Sequence, residues 1–215
     1  MEILVLDNYD SFTYNLVHLV KKLTECRIKV ARNDKIEPEE VQNYDKIIIS
    51  PGPGIPEEAG IMKEIIRRYC HSKSILGVCL GMQGIAEVFG GHLYNMDEVY
   101  HGIETKINII KNDRIFQGLP PSIKVGRYHS WAVNRKSLPN MLKITANDED
   151  SVAMAIRHKQ YDVQGLQFHP ESIMTPYGQN ILSNWLNAEN KNLNFPSQNN
   201  TMFNMNNIQK GYLFC

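Results

Sequence analysis

The first ninety residues alternate between short apolar runs and longer stretches in which apolar side chains recur every three or four positions. Runs at 3–6, 27–31, 46–49 and 74–78 predict strands. The stretch 11–24 sets Phe12, Leu16, Leu19, Val20 and Leu23 on one face and predicts an amphipathic helix, with Asp10 or Ser11 placed to cap it. Further helices are predicted at 38–42, 61–70 and 80–89. Regular alternation of strand and helix argues for an α/β fold on a parallel sheet. Past residue 90 strands dominate, at 92–94, 105–110, 124–128, 143–147, 153–158 and 163–168, and the last helix falls at 178–187. The expected architecture is an open, mostly parallel central sheet with flanking helices and a smaller antiparallel, strand-rich part.

At residue 187 the pattern stops. Nine of the 24 residues from 187 to 210 are asparagine, and such a segment buries too little apolar surface to offset its ordering entropy. The chain is therefore expected to divide into one domain at 1–187 and a disordered or loosely docked tail at 188–215. Charge then narrows the function. Lys plus Arg and Asp plus Glu are 23 each, so no cationic field exists to attract nucleic acid. The four cysteines, Cys26, Cys70, Cys79 and Cys215, fit no C-x-x-C zinc or redox spacing and suit a reducing compartment. No run approaches the ~18 apolar residues of a membrane helix, and no basic leader opens the chain. The expectation is a soluble cytoplasmic protein, or a stromal one if plastid-encoded. His101 and His129 lack a second ligand at short fixed spacing, so neither metal nor cofactor is expected. The acidic run 147–150 reads as a solvated turn, and Asp7, Asp10 and Ser11 as capping and loop hydrogen-bonding groups.

Three segments carry candidate chemistry. In ILGVCLGMQ, Cys79 sits between a predicted strand and a predicted helix, with Gly77 and Gly81 two residues to either side. That is a nucleophile-elbow spacing with sulfur in place of the serine oxygen. Small neighbours permit the sharp turn, and the helix N-terminus behind it favours a thiolate and a developing oxyanion. A buried structural thiol is the competing reading. In GLQFHPES, His169 follows a strand and Glu171 stands two residues on, on the same side of an extended chain. Glu171 can then orient His169 as a base toward the sulfur. The loop after the third strand, SPGPGIP, is stiff and lets backbone approach a ligand closely; the N–H groups of Gly52 and Gly54 are candidate oxyanion donors.

Taken together, PGPG near residue 52, GVCLGMQ around Cys79, RYHSW at 127–131 and GLQFHPES at 165–172 resemble the class I (triad) glutamine amidotransferases. The opening LDNYDSFTYNLV narrows the resemblance to the amidotransferase components of anthranilate synthase and aminodeoxychorismate synthase. It covers residues 1 to about 187 and implies a flavodoxin-like fold. It also implies roles. Cys79 attacks the glutamine amide and forms a thioester, His169 moves the proton, and Glu171 orients His169. The N–H groups of Gly52 and Leu80 form the oxyanion hole, and Gln83, Ser130 and Trp131 hold the substrate. Ammonia then passes to a chorismate-binding synthase subunit, component I, in a heterodimer or heterotetramer. Met82 stands where the subfamily commonly has His, and Ile103, Glu104 and Thr105 replace its Lys, Thr and Ser. The second departure falls on the segment that, by resemblance, faces the partner. Three other readings stay open: a stand-alone cysteine hydrolase or peptidase on a similar fold, an amidotransferase subunit serving a different acceptor, and a catalytically silent subunit. The presence of all three triad residues weighs against the silent subunit.

Overall fold

The computed structural model describes residues 1–110 and 113–188. In chain order the elements are β1 (Glu2–Asp7), α1 (Thr13–Leu23), β2 (Arg27–Arg32), β3 (Lys46–Ile49), α2 (Met62–Tyr69), β4 (Ser74–Val78), α3 (Leu80–Val88) and β5 (Leu93–Asn95). There follow β6 (Ile103–Ile109), β7 (Ser122–Arg127), β8 (Trp131–Val133), β9 (Leu142–Asp148), β10 (Ala153–His158), β11 (Val163–Leu166) and α4 (Gly178–Leu186). The tail expected from residue 188 lies, from 189 on, outside the described residues.

One nine-stranded sheet runs in the order β2-β1-β3-β4-β11-β10-β9-β6-β7. The first five strands are mutually parallel, and the last four continue the sheet in antiparallel sense. Strands β3, β4 and β11 are buried along their whole length, as inner parallel strands covered on both faces must be. Edge strand β2 alternates in burial and carries Arg27, Lys29 and Arg32, charges that discourage pairing with another chain. The period-two alternation of β1 divides the core. Ile3 and Val5 pack with Leu16 and Val20 of α1 and Leu182 and Trp185 of α4, whereas Leu4 and Leu6 pack with Ile65 and Ile66 of α2 and Ile85 of α3.

The antiparallel half curls. In sheet order β7 stands four strands from β11. Yet the His169 N–H donates to the Gly126 carbonyl at 3.0 Å, an isolated antiparallel bridge joining the end of β7 to the chain just past β11. This closure brings residues 127–131 back over the parallel half. The mostly parallel sheet with a small antiparallel part is thus as expected, with local differences. The 38–42 helix is a 3-10 segment at Pro38–Asn43, held by a capping box between Glu37 and Glu40. Strand β8, only three residues, pairs with β5 in a separate two-stranded sheet and has no counterpart in the periodicity. Asp148 belongs to no solvated turn: it ends β9, 2% exposed, because it pairs with buried Arg127.

Candidate active site

The C-terminal ends of three adjacent strands, β3, β4 and β11, meet at one place. Ligands bind at this edge of open α/β sheets. Between β4 and α3, Cys79 adopts φ 52°, ψ −102°, a backbone conformation that L residues avoid and that nucleophile elbows impose. The glycines explain how the turn closes. A Cβ on Gly77 would overlap the Gly81 carbonyl group, and one on Gly81 would stand 2.7 Å from the Ile49 oxygen. The Cys79 N–H donates to the Leu166 carbonyl at 2.7 Å, which ties the elbow to β11. Cys79 is 5% exposed and starts α3, so the unpaired first-turn N–H groups and the positive helix end lie beside its sulfur.

His169 and Glu171 come to this place from the turn after β11. His169 Nδ1 and Glu171 Oε1 are 2.7 Å apart, with both side chains buried. Burial alone would push the imidazole down. Hydrogen bonding and charge from the Cys79 sulfur and the Glu171 carboxylate override it and raise the pKa from 6.5 to about 10. His169 Nε2 meets no atom at standard hydrogen-bond geometry, so its link to the sulfur is one of near approach and charge. The ring packs edge-on against Phe12 and Tyr128, with centroids at 5.9 and 4.8 Å, and those two rings also touch each other at 5.2 Å. Its backbone is fixed too: the His169 carbonyl accepts from Thr175 Oγ1 at 2.7 Å, and Thr175 Oγ1 accepts the Gly126 N–H at 3.0 Å.

A cavity of about 240 Å³ opens at the sulfur. Gly52, Gly54, Gln83, Ser130 and Trp131 line it with Cys79, as do Val99, Tyr100 and His101 from the segment between β5 and β6. Leu80 is not in the wall. It packs behind Gly52, whose added Cβ would come within 2.6 Å of Leu80 Cδ2 and 2.8 Å of the Asn8 carbonyl oxygen. Gly54 holds φ 70°. The volume is smaller than the ~300–1,000 Å³ of drug-sized sites and suits an amino acid. Among the described residues no Asp, Glu, Lys or Arg lines the wall. Backbone groups and the other polar side chains of the wall, among them Gln83 and Ser130 with Tyr100, His101 and Tyr128, are therefore left to recognise a small polar substrate.

Behind the wall lies a buried network that the sequence did not reveal. Arg127, wholly buried, pairs with Asp148 at 2.7 Å, lies 3.5 Å over the Tyr100 ring, and donates from Nε to His129 Nε2 at 3.1 Å. His129 must therefore carry its proton on Nδ1, which donates to the Trp131 carbonyl at 2.9 Å. Burial and then the Arg127 charge push His129 down to about 3, so it stays neutral, and hydrogen bonds at both ring nitrogens leave it no free metal ligand. Among the described residues no cluster of three or more His, Cys, Asp or Glu could hold a metal ion. The Asp7 and Asp10 carboxylates accept from the backbone N–H groups of Tyr9 and Phe12 at 3.0 and 2.7 Å, the loop role expected of them, but neither Asp10 nor Ser11 caps α1, which starts at Thr13 with Phe12 at its N-cap. The divergent Ile103, Glu104 and Thr105 open strand β6 and pair with Arg127, Gly126 and Val125 of β7.

A cysteine on an elbow, a buried His–Glu pair beside it and a small cavity at strand C-termini define an α/β enzyme site suited to nucleophilic attack by sulfur. The sequence matches the family "Glutamine amidotransferase class-I" over residues 4–188, and the chain belongs to that family. It is 47% identical over 193 residues to anthranilate synthase component 2 of Cyanophora paradoxa, covering 87% of this chain and 100% of the relative. It is 44% identical over 193 residues to aminodeoxychorismate/anthranilate synthase component 2 of Bacillus subtilis, covering 88% and 97%. The crystal structure of a Thermoplasma acidophilum protein assigned to GMP synthase superposes with TM-score 0.78 at 28% identity, covering 86% and 92%. Among the described residues no helix is long and apolar enough to cross a membrane.

Proposed function

We propose that this chain is the glutamine-hydrolysing subunit of a chorismate-aminating synthase, its catalytic domain spanning residues 1–187 and working in the cytoplasm. The observation that carries the reading is the juxtaposition of Cys79, the His169–Glu171 pair and an amino-acid-sized cavity. Relatives that bear the names anthranilate synthase component 2 and aminodeoxychorismate/anthranilate synthase component 2 support the acceptor. Anthranilate synthesis is the first product assigned, and the second name favours aminodeoxychorismate as another use of the same chain.

In this reading His169 takes the Cys79 proton, and the thiolate adds to the side-chain amide carbon of glutamine. The N–H groups of Gly52 and Leu80 receive the oxyanion, with Gly54 holding the loop in place. Collapse breaks the C–N bond. His169 hands its proton to the departing nitrogen, and ammonia leaves toward the component I partner. Water, deprotonated by the same imidazole, then cleaves the thioester to glutamate. Glu171 fixes the tautomer and stabilises the imidazolium. Gln83, Ser130 and Trp131 hold the amino-acid end of the substrate. With component I present, the chain should release glutamate from glutamine and support amination of chorismate. Cys79→Ser should lose both glutamine-dependent activities, while amination from ammonium salts persists. Full glutamine turnover in that variant would end the nucleophile assignment, and failure of ammonium rescue would end the delivery assignment.

A further inference from the structure

We propose that Gln167 is a further catalytic residue of this site: its side-chain amide donates an N–H to the Cys79 sulfur and steadies the thiolate, its orientation enforced by Gln83 and the Trp131 carbonyl. The proposal rests on Cys79 acting as the nucleophile. Gln167 Nε2 lies 3.7 Å from Cys79 Sγ, within hydrogen-bond reach for sulfur, and the residue is wholly buried.

An amide carries a donor at one end and an acceptor at the other, so its neighbours decide which end faces the sulfur. The Trp131 carbonyl can only accept. It receives N–H groups from His129 Nδ1 at 2.9 Å and from Gln83 Nε2 at 3.0 Å. Gln83 Nε2 is thereby fixed in place, and it also reaches Gln167 Oε1 at 3.4 Å. The acceptor end of Gln167 is occupied, and the donor end is left to the sulfur. A flipped Gln167 would set two NH₂ groups against each other and turn a carbonyl oxygen on a thiolate. The geometry thus forms one chain: Asp148, Arg127, His129, the Trp131 carbonyl, Gln83, Gln167, Cys79. A donor aimed at a group that ionises favours the charged form over the neutral one, most strongly where water is excluded. Gln167 also stands two residues before His169, so one short segment after β11 supplies both the base and the thiolate donor.

The test uses the full chain without glutamine or partner, with iodoacetamide as probe and peptide mapping to read Cys79 separately, Cys26 serving as internal reference. Gln167→Met keeps the bulk and removes the donor; Gln167→Glu keeps the shape and offers only acceptors. Alkylation of Cys79 near neutral pH should slow about ten-fold in Gln167→Met, the equivalent of one pH unit in thiolate availability, and more in Gln167→Glu. The pH profile of the rate should move upward in both. Gln83→Leu, which frees the acceptor end of Gln167, should give a smaller drop and carries the test if Gln167→Met does not fold. Cys79 alkylation at the unaltered rate in Gln167→Met, or in Gln83→Leu in its place, overturns the proposal while leaving the nucleophile assignment standing. If Cys79 of the unaltered chain reacts no faster than Cys26, both fall.

Discussion

Gly52 shows how little space the site leaves at a single residue. Its missing side chain is filled by Leu80 Cδ2 and by the backbone oxygen of Asn8, 2.6 and 2.8 Å from where a Cβ would sit. The leucine tip can rotate away, but the Asn8 carbonyl is held: its residue's N–H donates to Ser50 Oγ and its side-chain amide donates to the Ser50 carbonyl, both at 2.9 Å. An alanine at 52 must therefore displace the loop that carries the proposed oxyanion donor. Loss of one such donor typically costs 10²–10³ in kcat. Gly52→Ala should accordingly lower kcat by about 10²-fold with a much smaller change in KM, and overpacking should cost about 1–3 kcal/mol of stability. Steady-state glutaminase kinetics beside urea denaturation would separate the two effects. A change in KM alone would mean that the loop contacts only the distal end of the substrate.

At the scale of elements, the start of α4 packs hard against the catalytic turn, and its Gly178 N–H donates to the Thr175 carbonyl at 2.9 Å. Gly178, its first residue, packs so tightly that a Cβ there would overlap the Pro170 carbonyl, and Pro170 directly follows His169. Gly178→Ala must push the helix off the turn or shift the turn itself. The expected outcome is a stability loss of about 1–3 kcal/mol together with lower kcat from a displaced imidazole. An active, merely less stable variant would show that the turn is anchored instead by Gly126 and Thr175. None of this was legible in the sequence, where Gly178 is simply a residue near a helix start. The inner strands β1, β3 and β4 of the parallel half were legible because they are buried on both faces and read as short apolar runs. So were Cys79, His169 and Glu171, because a nucleophile elbow and a strand-end His-x-Glu are local patterns. Strand β8 was not, since three residues carry no periodicity. The Arg127–Asp148 pair was missed for a different reason: charged residues read as surface, and only the closure of β7 onto the parallel half buries this pair.

The whole molecule buries three histidines in opposing electrostatic settings, and its stability should record them. Burial, with the charge of Arg127 or Arg157, holds His129 at about 3 and His158 at about 4. The His158 ring is sandwiched between Phe89 and Tyr161, centroids at 4.7 and 4.4 Å, and its Nδ1 accepts two backbone N–H groups at 3.1 and 2.8 Å. A proton on that nitrogen would face two donors. The unfolded chain, with ordinary histidines near 6.5, therefore binds more protons than the folded one below that pH. The stability these two residues contribute is present above 6.5 and is lost as pH falls toward 4. His169 has the opposite sign. Its folded pKa of about 10 lies above the unfolded value, so its contribution is present below 6.5 and lost as pH rises toward 10. Stability should thus peak near neutrality, with limbs of up to about 1.4 kcal/mol per pH unit for each fully shifted group. Urea denaturation from about pH 5 to pH 9 reads this directly, since most carboxylates stay ionised in that range. Two variants assign the limbs. His158→Asn, whose Oδ1 can stand in for Nδ1 as the acceptor, should flatten the acid limb by about half, one of its two groups having been removed. Cys79→Ser removes the sulfur that helps to hold the His169 proton and should flatten the alkaline limb while leaving the acid limb unchanged. Stability that climbs from pH 6.5 down to pH 5 would overturn the assignment of neutral buried imidazoles. An alkaline limb untouched by Cys79→Ser would show that Glu171 alone sustains the His169 charge.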